Sequence, residues 1–143
     1  MNARELAERV TGAPGFMRLL GVRVVAAEPG LVELAIDKRP DLLQAHGFFH
    51  GGVICALADH AAGGAVTTAL PPGRFAVTIN LETHFLEPAR GAVLGARARV
   101  LRVGTTVSVA CVDLFIACDG AEAACATALA TVRVVDAPEV ARG

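Results

Sequence analysis

The sequence predicts an α+β fold in which a curved antiparallel sheet of about six strands wraps around one long central helix. Three observations lead there. Residues 51–69 are apolar or small at nearly every position, with about five helical turns of length. From Arg74 onward, runs of alternating apolar and polar residues are separated by turn signals. Ahead of the helix, a Glu28-Pro29-Gly30 turn joins two further strand-like runs. A helix this apolar all round must be buried. One such helix beside so many long strands is best covered by a sheet that curls over it.

Each element follows in order. Residues 2–11 read as a short polar helix with Leu6 and Val10 at i, i+4 spacing, ended by Gly12 and Pro14. Residues 1–15 thus form an N-terminal helical segment. A second short helical piece, Phe16 to Leu20, stops at Gly21. Val22, Val24 and Ala26 then alternate with Arg23 and Val25, and Leu31 to Asp37 is the return strand of a hairpin. Lys38 to Phe49 is a loop with Pro40, Asp41 and Gly47. The central helix runs from about Gly51 to Ala69 and is closed by Pro71-Pro72-Gly73.

Next, Val77, Ile79, Leu81, Thr83 and Phe85 alternate with Thr78, Asn80, Glu82 and His84. Pro88 to Gly91 turns the chain. Ala96, Ala98 and Val100 alternate with Arg97, Arg99 and Leu101, and Gly104 breaks that run. Val107 to Cys118 is a long apolar strand, Asp119-Gly120 a hairpin turn, and Ala123 to Val135 the last strand. Residues 136–143 are expected to be a tail. The whole chain, 1–143, reads as a single domain.

Composition narrows the function. A chain of 143 residues can bury about 70% of its unfolded surface. With 54% hydrophobic and 19% charged residues it is not a disordered chain. A net charge of −1, from 13 basic and 14 acidic residues, argues against a general nucleic-acid binder. Asp59, His60 and two threonines interrupt the apolar stretch, so it reads as a buried helix and not a membrane span. Residues 1–10 lack the apolar core of a signal peptide, and the expected location is the cytoplasm. Cys55, Cys111, Cys118 and Cys125 contain no C-x-x-C pair and read as small, buried, reduced thiols. No Trp or Tyr is present, so no tyrosine can act as acid or oxyanion donor.

Chemistry concentrates at the central helix. His50-Gly51-Gly52 opens it. The first turn of a helix has unpaired N–H groups and a partial positive charge, and glycine lets a ligand atom come close. That is a natural oxyanion site, or else a plain Gly-rich helix start. Asp59 is the only acidic residue between Asp41 and Glu82. On a buried helix a carboxylate is costly unless paired or functional; it would otherwise face solvent or bond to His60 or a sheet backbone. Gly51 and Asp59 are eight residues apart, about 12 Å along one helix, which an Asp side chain cannot span. Two helices of a two-fold dimer could bring Gly51 of one subunit to Asp59 of the other. The small residues Ala62 and Gly63 on the same side as Cys55 and Asp59 would permit close approach.

Other constellations are weaker. His46 and His50 have metal-ligand spacing for a helix, but Gly47 interrupts it, and no metal or redox cofactor is expected. His60 points about 100° away from Asp59 on a helix, so a dyad is not expected. Ser108 lies in a strand without a nucleophile elbow.

The run Gln44 … Gly47 … His50-Gly51-Gly52 … Asp59 resembles the hotdog-fold acyl-CoA thioesterases, nearest the phenylacetyl-CoA thioesterase (PaaI) type, with 4-hydroxybenzoyl-CoA thioesterases as relatives. The resemblance spans about Phe16 to Val135 and includes Thr78, Phe85-Leu86-Glu87-Pro88-Ala89 and the Arg102-Val103-Gly104 turn. It implies hydrolysis of an acyl-CoA thioester to free acid and CoA. Gly51 would polarise the thioester carbonyl through its backbone N–H. Asp59 from the partner subunit would be nucleophile or general base. Gln44, where Asn is commoner in the family, would hold the thioester or the water. His50, Gly47, Gly52 and Thr78 would line the substrate. Arg90, Arg102 and Gly104 are candidates to meet CoA phosphates, although Arg90, Arg97, Arg99 and Arg102 equally suit a solvated strand face. The resemblance also implies a homodimer or homotetramer with active sites at the dimer interface. Two rivals are a non-catalytic acyl-CoA-binding protein and a hotdog enoyl-thioester hydratase or dehydratase, which would need an Asp-His or Glu-His pair over the acyl chain.

Overall fold

The computed structural model describes residues 1–137. Helix α1 (Ala3–Gly12) starts on a capping box: Asn2 Oδ1 accepts from the Glu5 N–H at 2.9 Å, and Glu5 Oε2 accepts from the Asn2 N–H at 3.0 Å. Helix α2 (Phe16–Leu20) ends on Gly21 in the left-handed conformation. Strands β1 (Arg23–Glu28) and β2 (Leu31–Asp37) form the expected hairpin. A 3-10 turn, Pro40–Leu42, interrupts the loop before α3 (Gly51–Ala69). Strands β3 (Arg74–Phe85), β4 (Val93–Arg102), β5 (Val107–Cys118) and β6 (Ala121–Asp136) complete the chain.

All six strands join one antiparallel sheet in the order β1-β2-β4-β5-β6-β3. β5 and β6 meet at Asp119 (φ 50°) and Gly120 (φ 80°), the positive-φ pair that a two-residue hairpin turn requires. β3 pairs only with β6 and leaves its other side as a free edge. α3 lies in the concave face of the sheet, with Ile54, Leu57, Ala58, Ala61, Ala62, Ala65 and Val66 buried against it. Leu34, Ile36, Leu94, Val112, Leu114 and Val132 supply the sheet side of that core. This is the hotdog architecture. Among the described residues no helix is long and apolar enough to cross a membrane.

The structure corrects several sequence-based expectations. α3 is buried on one face, not all round: Asp59, His60, Gly63, Gly64, Thr67 and Thr68 stay half-exposed. Its open face consists of small and polar residues, so apolar composition alone overstated its burial. In α1, Ala7 and Thr11 face inward at 6% and 4% exposure, whereas Leu6 is half-buried and Val10 is 47% exposed.

In β1 the register slips between Val24 and Ala26, so Ala27 takes the inward position expected for Ala26. In β3 a slip between Thr78 and Asn80 breaks the alternation. An extra residue reverses which face follows. Ala76 and Thr78 therefore point inward before it, Leu81 and Thr83 after it, and Val77 and Ile79 are exposed.

The tail starts later than expected: Asp136 ends β6, its carboxylate 3.1 Å from Arg74 Nε, and the Ala137 N–H donates to the Gly73 carbonyl. The rest of the expected tail, residues 138–143, lies outside the described residues.

Only Cys125 fits the expectation of buried thiols; Cys55 and Cys111 are half-buried and Cys118 is exposed. Burial pushes the Cys125 thiol up to about 11, which leaves it inert.

Candidate active site

The start of α3 has one backbone donor to spare. A helix leaves four N–H groups without intrahelical partners, here those of His50, Gly51, Gly52 and Val53. The His50 N–H donates to the Leu42 carbonyl at 2.9 Å and the Val53 N–H to the His50 carbonyl at 2.9 Å. The His50 side chain caps its own helix, its Nδ1 accepting from the Gly52 N–H at 2.8 Å. That bond puts the neutral ring's proton on Nε2. A Cβ on Gly52 would lie 3.1 Å from His50 Nδ1, so glycine permits the tight cap. The Gly51 N–H alone has no partner among the described residues.

Gln44 sits beside it. The Gln44 N–H donates to the Phe48 carbonyl, and Gly47, at φ 86°, returns its N–H to the Gln44 carbonyl at 3.0 Å. Gln44 Oε1 accepts from the His46 N–H. The side-chain oxygen is therefore engaged and the amide NH₂ remains a donor. Gln44, Phe48, Gly51 and Phe85 line an open hollow of about 360 Å³. Arg90 stacks on the Phe48 ring at 3.9 Å from its centroid.

Asp59 is two turns further along α3, on its half-exposed face. The Thr78 hydroxyl donates to Asp59 Oδ1 at 2.6 Å. The inward turn of Thr78 ahead of the β3 slip makes this contact possible. Both residues line a second cavity, of about 670 Å³, that continues to α1. His60 turns away from Asp59, as the helical angle implies, and its Nε2 lies 3.0 Å from Thr11 Oγ1.

Burial lowers the His60 pKa from its ordinary 6.5, with the Asp59 carboxylate pulling the other way. Because the folded pKa is lowered, the unfolded chain takes up the proton first as pH falls. His60 therefore contributes nothing above about pH 6.5 and an increasing destabilisation below it. Thermal melts are expected to show a steeper loss of Tm from pH 7 to pH 5 in the native protein than in His60→Gln. Equal slopes would exclude this role.

Within one protomer the expected site residues thus form two groups. Gln44, Gly47, His50, Gly51 and Gly52 gather at the start of α3; Asp59 and Thr78 gather at its middle, about 12 Å away by helical rise. The arginines do not cluster. Arg97 is on the outer face of the sheet, with ion pairs to Glu33 and Glu122 at 2.8 and 2.7 Å, and the hydrogen bonds it donates hold the Glu122 carboxyl below the usual carboxylate range. Arg90 and Arg102 flank opposite ends of β4, on the order of 30 Å apart. Arg102 donates to the Val107 carbonyl at 3.1 Å, and the Gly104 N–H to the buried Ser108 Oγ at 3.0 Å, so that turn is tied to its own strand. One protomer cannot bring both Arg90 and Arg102 to one nucleotide.

Sequence reasoning named Phe85 only as a strand residue and within the resemblance and missed its approach to Gly51, where the ring would lie 3.3 Å from a Cβ, and it missed the Thr11–His60 link. Neither has a local sequence signal. Asn2 and Glu5, three residues apart ahead of a helical run, did carry the capping signal.

Comparison with known proteins agrees with this architecture. Residues 46–123 match the family model described as the thioesterase superfamily. Human acyl-coenzyme A thioesterase 13 is 31% identical over 117 residues, covering 79% of this chain and 81% of its own. A thioesterase family protein from Silicibacter pomeroyi superposes with a TM-score of 0.87 at 32% identity, covering 93% of this chain and 98% of that one. The PaaI protein of the E. coli phenylacetic acid degradation operon shares the fold with a TM-score of 0.81 at 20% identity, over 94% of each chain.

Proposed function

The chain belongs to the thioesterase superfamily, and we propose that it hydrolyses an acyl-CoA thioester to the free acid and CoA at a site shared between two copies of itself. The single observation that carries this reading is the division of polar groups along α3. One end offers the spare Gly51 N–H beside the Gln44 amide; the open middle offers a carboxylate held by Thr78. A thioester carbonyl needs both a donor for its oxygen and a base or nucleophile for its carbon. Two helices running antiparallel about a two-fold axis supply both.

In this site the Gly51 N–H polarises the carbonyl oxygen, and the positive end of α3 favours the oxyanion. The Gln44 amide donates to the thioester or to the attacking water. Asp59 of the partner subunit faces the carbonyl carbon. As general base it takes a proton from water while the hydroxyl oxygen bonds to carbon. The tetrahedral intermediate then collapses, the C–S bond breaks, and the sulfur leaves as CoA thiolate that takes up a proton. As nucleophile its oxygen bonds to the carbonyl carbon, the C–S bond breaks and CoA thiolate leaves and takes up a proton; water then cleaves the mixed anhydride to the free acid and the regenerated carboxylate. Thr78 orients the carboxylate through Oδ1 in either route. The reaction requires no metal or redox cofactor; CoA enters as part of the substrate. Arg90, stacked on the Phe48 ring that lines the Gly51 hollow, would meet a CoA phosphate.

The test is release of free CoA from a panel of acyl-CoA thioesters, read by mass spectrometry because the exposed Cys118 reacts with thiol dyes. Turnover of at least one thioester is the expected result. Tight acyl-CoA binding without turnover would instead identify a binding protein, and hydration of an enoyl-CoA would identify a hydratase.

A further inference from the structure

Phe85 ends β3 on the inward side of the strand, two residues on from Thr83 and four from Leu81. Unlike Leu81 it takes no part in the core, and it stays 55% exposed. Single apolar side chains on a surface are ordinary; this one is set apart by what it touches. Its ring atoms Cζ and Cε1 would lie 3.3 and 3.5 Å from a Cβ on Gly51, closer than ordinary van der Waals contact. Glycine therefore admits the ring at this approach without a shift.

The backbone on either side holds Phe85 in place. Phe85 pairs with Ala126 of β6, and the Leu86 and Glu87 N–H groups both donate to the Cys125 carbonyl, at 2.9 and 3.3 Å. The Ala89 carbonyl accepts from the Phe49 N–H at 3.1 Å, which ties the segment after β3 to the loop before α3. The ring thus lies against the residue whose N–H is spare, and the hollow beside it has further apolar walls in Phe48, Ile54 and Leu86. A donor surrounded by water is already solvated and attracts a developing charge weakly; the same donor with water kept off it acts far more strongly.

Granted the thioesterase reading above, we infer that Phe85 is a positioning residue for hydrolysis: its ring covers Gly51 from the β3 side, keeps bulk water off the spare N–H, and so strengthens that donor's hold on the oxyanion.

The test measures kcat and KM for acetyl-, octanoyl- and phenylacetyl-CoA in the native protein, Phe85→Ala and Phe85→Met, with assembly checked by light scattering. Phe85→Ala is expected to lose about tenfold in kcat, part of the 10²–10³ that one oxyanion donor supplies. KM is expected to stay within about threefold, and Phe85→Met, apolar and long enough to reach Gly51, to keep kcat within about threefold of native. Phe85→Val suits a strand but is too short to reach Gly51, and it decides the matter should Phe85→Ala not assemble. A second readout is the infrared carbonyl stretch of the fastest of the three thioesters, bound to Asp59→Asn protein. It is expected to lie below that of the free thioester and to move back toward it when Phe85→Ala is added. An unchanged kcat, a loss confined to KM, an equal loss in Phe85→Met, or an unmoved stretch would overturn the inference and leave the thioesterase reading standing. A folded native protein that hydrolyses none of the three would overturn both.

Discussion

Asp59→Ala is expected to give a folded, assembled protein whose thioester hydrolysis falls about 10²–10⁴-fold. The carboxylate is half-exposed and makes one side-chain hydrogen bond, from Thr78. Losing that bond costs roughly 1.5–3 kcal/mol for a charged acceptor, and alanine's better helix propensity returns about 0.7 kcal/mol. The fold, whose core lies on the opposite face of α3, tolerates this. Asp59→Asn is the sharper variant: it keeps an acceptor for the Thr78 hydroxyl and removes the charge. Both variants should lose kcat/KM to a similar extent while their melting temperatures stay within a few degrees of native. Activity that survives in Asp59→Asn would remove the carboxylate from the chemistry.

The second large effect is expected from Gly51→Pro, about 10²–10³-fold in kcat, the usual value of one oxyanion donor. Gly51 is the first helical residue of α3, the position where proline is favoured because its missing N–H bonds to nothing in the helix. His50 precedes it with φ −62° and ψ 140°, an extended conformation compatible with a following proline. The substitution therefore deletes the spare donor and little else. The ring's Cβ needs Phe85 to yield a few tenths of an ångström, and Phe85 is 55% exposed. Gly51→Ala makes the same demand on Phe85 but keeps the N–H, so it serves as the control. A loss common to both variants would indicate crowding. A loss confined to proline identifies the donor.

The fold was legible because its signals are local and repeated. The Asp119-Gly120 turn, the Pro71-Pro72-Gly73 stop and the apolar run of α3 each specify an element without reference to the others. The register slips in β1 and β3 were not legible. Val77, Ile79 and Leu81 alternate as if on one face, yet the register slip after Thr78 sends Val77 and Ile79 outward. A bulge is set by what the strand must pack against, and here it lets Thr78 reach Asp59.

The candidate site was legible residue by residue, because a carboxylate in an apolar helix and a Gly-Gly helix start are anomalies in a sequence. Its contacts were not. Nothing in the order of residues tells that His50 Nδ1 consumes the Gly52 N–H and so leaves the one at Gly51 free. The late arginines show the opposite failure. They are near one another in sequence, but strand geometry sends Arg97 to the Glu33–Glu122 network and holds Arg90 and Arg102 at opposite ends of β4.

The central claim is that Gly51 of one protomer and Asp59 of the partner subunit act on one thioester. Co-expression of Asp59→Ala with Gly51→Pro tests it most directly, because each variant alone has only defective sites. In a random mixture a site is intact when its Gly51 half comes from the Asp59→Ala chain and its Asp59 half from the Gly51→Pro chain. About a quarter of native activity is the result expected. A mixture no more active than its two inactive parents, with mixed oligomers present by native mass spectrometry, would contradict the shared site.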